Sequence, residues 1–113
     1  MNGNYNVIIG GQNNSIADSS AINSAILGGY GNVINSDYSV VAGYKAQADH
    51  DGVFIFSGYD PDYDSDLTDS NDPFITSKAD SQFLVYAKNG VGIGTNDVSS
   101  EEKISFSSVE DGL

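Results

Sequence analysis

The sequence predicts an all-β protein whose N-terminal part is a stack of β-roll, or solenoid, rungs. Three observations carry this reading. One segment recurs three times near the N-terminus, glycine, Asn and Ser outnumber the residues that build helices well, and the apolar residues gather in short aliphatic runs. With 113 residues the chain makes one domain at most, and with 39% apolar residues a lone monomeric core would be thin.

The repeats come first. Val7-Ile8-Ile9-Gly10-Gly11-Gln12-Asn13-Asn14-Ser15-Ile16 aligns with Ala25-Ile26-Leu27-Gly28-Gly29-Tyr30-Gly31-Asn32-Val33-Ile34. Both align with Ser39-Val40-Val41-Ala42-Gly43-Tyr44-Lys45-Ala46-Gln47-Ala48. The second glycine recurs at 11, 29 and 43, steps that suit a rung of two short strands and two turns. Residues 5–50 are therefore expected to form three rungs. In each, Ile8, Ile26 and Val40 are expected to face one way and Ile9, Leu27 and Val41 the other. Strands apolar on both faces fit a solenoid that fills its interior with one face and packs the other against another chain, which makes these six the candidate self-association residues of the rungs. Gly10, Gly11, Gly28, Gly29 and Gly43 are the candidate turn glycines, with Asn13 or Asn14, Asn32 and Asn35 suited to the same turns.

Residues 51–107 read as a β-rich transition that closes the roll. Val53-Phe54-Ile55-Phe56 is a short strand expected to leave it. Gln82 to Lys88 alternates, Asn89-Gly90 favours a two-residue turn, and Val91-Gly92-Ile93-Gly94 supplies the return, which together predict a β-hairpin. Gly92 and Gly94 leave one strand face bare for a close backbone approach, a candidate self-association surface. Ser99 to Glu102 fits a capping box, Lys103-Ile104-Ser105-Phe106-Ser107 reads as a last strand, and 108–113 is a tail.

Between these strands, residues 58–73 form an acidic loop with aspartates at 60, 62, 64, 66, 69 and 72. Asp60, Asp62 and Asp64 have the alternate spacing of calcium loops, but Ser65 replaces the turn glycine and Asn71 the bidentate glutamate. The loop is read either as a non-standard Ca²⁺ site of Asp60, Asp62, Asp64 and Asp66 or as a solvated acidic surface. No other cofactor is expected.

The rungs Ser24-Ala25-Ile26-Leu27-Gly28-Gly29-Tyr30-Gly31-Asn32 and Ser39-Val40-Val41-Ala42-Gly43-Tyr44-Lys45-Ala46 resemble the head repeats of trimeric autotransporter adhesins. Ala48-Asp49-His50-Asp51-Gly52-Val53-Phe54, Ser81 to Val85 and Gly90-Val91-Gly92-Ile93-Gly94-Thr95 resemble the segment that follows such repeats in bacterial surface proteins and phage tail fibres. The resemblance spans residues 6 to about 104. It implies a left-handed parallel β-roll, three chains about one axis, and a structural or adhesive role. It carries over no catalytic residue, and the acidic insertion departs from its pattern.

A net charge of −12, with four lysines and no arginine, argues against nucleic acid and anionic membranes as partners. The chain has no cysteine and no apolar run of transmembrane length. It begins without a basic n-region or apolar h-region, so export is expected either within a longer chain or by a route such as virion release. His50 between Asp49 and Asp51 has no specified catalytic partner, and it is expected to lie hydrogen-bonded at the corner where the roll ends. Tyr30 and Tyr44, at equivalent rung positions, are expected to stack, as a ladder that cements the roll or as a platform for sugar rings. The expected function is a non-enzymatic, structural and adhesive component of a fibre at a cell surface, in the extracellular space or on a virion. Its partner is a second and third copy of itself, with a host-surface glycan or protein as an adhesive target. Two other readings are an open head-to-tail extracellular filament and a calcium-dependent glycan-binding module.

Overall fold

A computed structural model describes residues 4–17, 19–58, 74–87 and 90–93, and the backbone of 104–106. Its strands are β1 (Val7–Ile8), β2 (Ser15–Ile16), β3 (Ala25–Tyr30), β4 (Val33–Ile34), β5 (Val40–Tyr44), β6 (Ala46–Ala48), β7 (Phe54–Ser57), β8 (Ile75–Thr76), β9 (Phe83–Tyr86), β10 (Val91–Ile93) and β11 (Ile104–Phe106). No helix occurs among the described residues, so none there is long and apolar enough to cross a membrane.

The chain winds as a β-solenoid. Alternate strands β1, β3, β5, β7 and β9 stack in parallel as one sheet, called here sheet A, and β2, β4, β6 and β8 stack in parallel as sheet B. Each rung thus contributes one strand to each sheet and turns two corners. Parallel pairing without a helical crossover follows from the short step between equivalent residues, 18 from Asn6 to Ser24, 15 from Ser24 to Ser39 and 14 from Ser39 to Val53.

The interior is built by vertical columns. Ile8, Ile26, Val41, Ile55 and Leu84 are in register through sheet A, and Ile16, Ile34 and Ala48 through sheet B. Ile26, Ile34, Val41, Ala46, Ala48 and Ile55 are fully buried. These columns correct one expectation. Val41, not Val40, lies beneath Ile26, because β3 holds one more residue than β5 between the Ile26–Val41 and Gly29–Gly43 pairs. That bulge shifts the first half of the rung by one position, and a one-residue slip exchanges the two faces.

The roll also continues where a transition was expected. The strand at Phe54–Ser57 does not leave it but pairs with β5, Ile55 taking the place below Val41. The boundary expected at residue 50 interrupts neither sheet. The hairpin expected across Asn89-Gly90 is not formed: β9 pairs in parallel with β7, and β10 pairs in parallel with β11 as a separate two-stranded sheet. The Gly90 amide still donates to the Ala87 carbonyl, 3.0 Å. Burial decides this. In the parallel register Leu84 extends the apolar column under Ile55 and Phe83 meets Phe54, whereas β10 has Gly92 at its centre and little to bury.

Candidate interaction surface

The two sheets present different outer faces. Outside sheet B stand Ser15, Val33, Gln47 and Thr76, in one register row. Outside sheet A the row is Val7, Ala25, Val40, Phe54 and Phe83, followed two residues along by Ala42, Phe56 and Val85. Phe83 is 72% exposed and Val7, Leu27, Phe54, Phe56 and Val85 are also exposed. The Phe54 and Phe83 rings lie 5.2 Å apart in a tilted pair, so the face is continuous from rung to rung rather than a scatter of single residues.

Of the expected self-association residues, Ile26 and Val41 are interior and unavailable to a partner. Ile8 belongs to the same interior column but is half exposed on the terminal rung, while Ile9, Leu27 and Val40 lie off that column. Gly92 is exposed in β10, and Gly94 lies outside the described residues.

The corners hold this face in place. Near the ends of β3 and β5, and just beyond β1, stand Gly29, Gly43 and Gly11, all with positive φ (107°, 106° and 92°) and stacked so closely that a methyl group on one would overlap the backbone of the rung below. Gly28 also has positive φ but open space around it, and Gly10 has neither constraint. Just beyond, the buried Asn32 side chain donates to Asn14 Oδ1 (3.0 Å), the Gly28 carbonyl (3.1 Å) and the Gly43 carbonyl (2.8 Å), and its Oδ1 accepts from the Ala46 amide (2.9 Å). Tyr30 and Tyr44 stack at this corner with centroids 5.8 Å apart and an interplanar angle of 14°, as expected from their rung positions. The Lys45 ammonium lies 5.5 Å from the centre of the Phe74 ring.

The opposite corner carries two ladders that sequence reasoning missed. Asn6 Oδ1, Ser24 Oγ and Ser39 Oγ accept from the amides of Ser24, Ser39 and Val53, at 2.9, 3.0 and 3.2 Å. Running the other way, Asp37, Asp51 and Asp80 accept through Oδ1 from the amides of Ile22, Asp37 and Asp51, at 2.9, 2.9 and 3.1 Å. Both follow the rung step, 14 residues from Asp37 to Asp51 and 29 from Asp51 to Asp80, which is the signal that would have found them. Each side chain satisfies a backbone donor that no strand reaches.

His50 sits in this corner, its Nδ1 sharing a 3.0 Å hydrogen bond with the buried Ser77 Oγ, and its carbonyl accepting from Ser39 Oγ. The corner and the hydrogen bond agree with expectation, although the roll does not end there. Asp60, Asp62, Asp64 and Asp66, the candidate calcium ligands, lie outside the described residues, as does the capping box at 99–102. No family model, curated protein or solved structure matches the chain.

Proposed function

We propose that this chain is a structural and adhesive subunit of an extracellular or virion fibre, with no catalytic component. Copies associate through the outer face of sheet A, three about one axis, on a left-handed roll of the kind the head-repeat resemblance implies. One observation carries the reading. Sheet A is apolar on both faces and sheet B on one, and a soluble subunit does not leave a continuous aromatic and aliphatic face in water unless something covers it. A closed symmetric oligomer covers it with copies of itself, adding shared core to a chain with little of its own.

Light scattering combined with gel filtration tests this directly. The expected mass is three times the 11.9 kDa subunit, and a monomer in dilute buffer overturns the reading. A head-to-tail filament is the second reading. It is favoured by the half-exposed Ile8 at one end of the interior column and the incompletely buried Leu84 at the other. Electron micrographs separate the two, since a closed trimer gives short rods and a heterologous contact gives fibres of indefinite length.

A further inference from the structure

On every rung the chain enters sheet A through one residue in left-handed conformation: Tyr5 (φ 49°), Asn23 (53°), Tyr38 (57°), Gly52 (68°) and Ser81 (59°). Backbone hydrogen bonds place them in one column, the amides of Asn23, Tyr38, Gly52 and Ser81 donating to the carbonyls of Asn4, Ile22, Asp37 and Asp51 on adjacent rungs. Gly52 shows that glycine fits this corner, and glycine avoids the strain of about 1–2 kcal/mol that a side chain incurs there. Two of the five positions nonetheless carry tyrosine, a bulky type poorly suited to the conformation. Neither ring is packed away: Tyr5 is 78% and Tyr38 59% exposed. Aromatic surface held in water at a strained position gains nothing within this subunit, and strain of this kind points to function.

We infer that Tyr5, Asn23 and Tyr38 form a ridge that binds an extended, neutral polysaccharide. Sugar rings present flat C–H faces that stack on aromatic side chains. Tyr5 and Tyr38 are two rungs apart, about 9.6 Å at the ~4.8 Å spacing of neighbouring strands. In an extended β-linked glycan equivalent ring faces recur at every second sugar, a repeat of similar length, so both tyrosines engage one chain in register. The Asn23 amide between them offers both donors and an acceptor to hydroxyl groups. Charge sets the class. Asp37, Asp51 and Asp80 line the adjoining column, and a chain of net charge −12 repels sulfated, sialylated or uronic acid glycans while leaving neutral ones unaffected. This inference names the ligand class for the adhesive part of the proposed function and rests on it, but not on the number of subunits.

The test uses the full chain against neutral hexasaccharides (cellohexaose, chitohexaose, xylohexaose and mannohexaose), with a galacturonic acid hexasaccharide as the anionic control and EDTA present throughout. Tyr38→Gly and the double variant Tyr5→Gly/Tyr38→Gly remove the rings while relaxing the corner, so the fold is retained and thermal melting verifies it. The expected result is binding of at least one neutral oligosaccharide and not of the anionic one. Tyr38→Gly weakens it roughly tenfold, the loss of one aromatic stacking contact, and the double variant abolishes it, with particle mass unchanged. Silence with all four neutral sugars, unchanged binding in the double variant, or preference for the anionic control overturns the inference. A double variant that loses its oligomeric mass also overturns it, because the rings then belong to the contact between copies. A wild-type monomer that still binds sugar overturns the oligomer alone.

Discussion

Gly29 stacks directly on Gly43, so that a methyl group built on Gly29 would overlap the Gly43 carbonyl oxygen. The same contact recurs between Gly11 and Gly29 above and between Gly43 and the Ser57 backbone below. With φ at 107°, Gly29→Ala adds left-handed strain to this overlap and forces two rungs apart. The expected loss is roughly 3 kcal/mol or more, above the ordinary range for point substitutions. Gly10→Ala is the control. Gly10 has nothing within 4 Å of the new methyl and no positive φ, so its effect stays within about 0.5 kcal/mol, measured by the same urea unfolding curves.

Asn32 is the most heavily used polar side chain of the interior. Asn32→Ala strips the hydrogen bond from the buried Ala46 amide and from the part-buried Gly28 and Gly43 carbonyls at once. Each orphaned buried group costs about 1–3 kcal/mol, so a loss of roughly 3 kcal/mol is expected. Asn32→Asp keeps the acceptor facing Ala46 but turns a carboxylate toward two carbonyl oxygens, and it is expected to destabilise at least as much at neutral pH. Equal stability of Asn32→Asp and wild type would remove the donor role assigned to the amide.

What the sequence made legible was the rung itself. Matched aliphatic, glycine and asparagine positions revealed the repeat, and Tyr30 over Tyr44 followed from it. Its misreadings have a common cause, which is that pairing in a solenoid is decided by the neighbouring rung and not by the local chain. The Asn89-Gly90 pair favours a hairpin locally, yet Leu84 buries itself under Ile55 in a parallel register. The extra residue in β3 is invisible until Val41 must sit beneath Ile26. The exposed row of Phe54, Phe56 and Phe83 was hidden for the same reason: the local chain reads Val53 to Phe56 as a strand that leaves the roll and Gln82 to Lys88 as half of a hairpin, and only pairing with the neighbouring rung puts both in sheet A.

Register also locates the acidic segment. Ala46 pairs with Ile75 and Gln47 with Thr76, a step of 29 residues, while Val40 pairs with Phe54 at the ordinary step of 14. The sequence between the described strands is thus 15 residues longer than an ordinary rung step, and the pairing on either side of it is kept. Deleting residues 59–73 and joining Gly58 to Phe74 is expected to leave a folded roll, with circular dichroism unchanged and stability altered by no more than about 1 kcal/mol. Titrating Ca²⁺ into both forms then assesses Asp60, Asp62, Asp64 and Asp66: heat with the full chain that vanishes on deletion assigns the site, and no heat at millimolar ion with the full chain removes it.

Ile55 and Phe54 are neighbours in β7 on opposite faces, and they separate folding from assembly. Ile55 is fully buried between Val41 and Leu84, so Ile55→Ala leaves a cavity and is expected to cost about 2–5 kcal/mol in urea unfolding. Phe54 and Phe83 form an exposed ring pair on the outer face of sheet A. The double variant Phe54→Ser/Phe83→Ser is therefore expected to keep the β-sheet circular dichroism of the wild type while the particle mass falls to that of one subunit. If the mass is unchanged and the fold intact, the outer face of sheet A is not where copies meet. If the fold is lost together with the mass, subunit and assembly form in one step, and dilution of the wild type should then lower its melting temperature, as mass action requires when only the assembled form is stable.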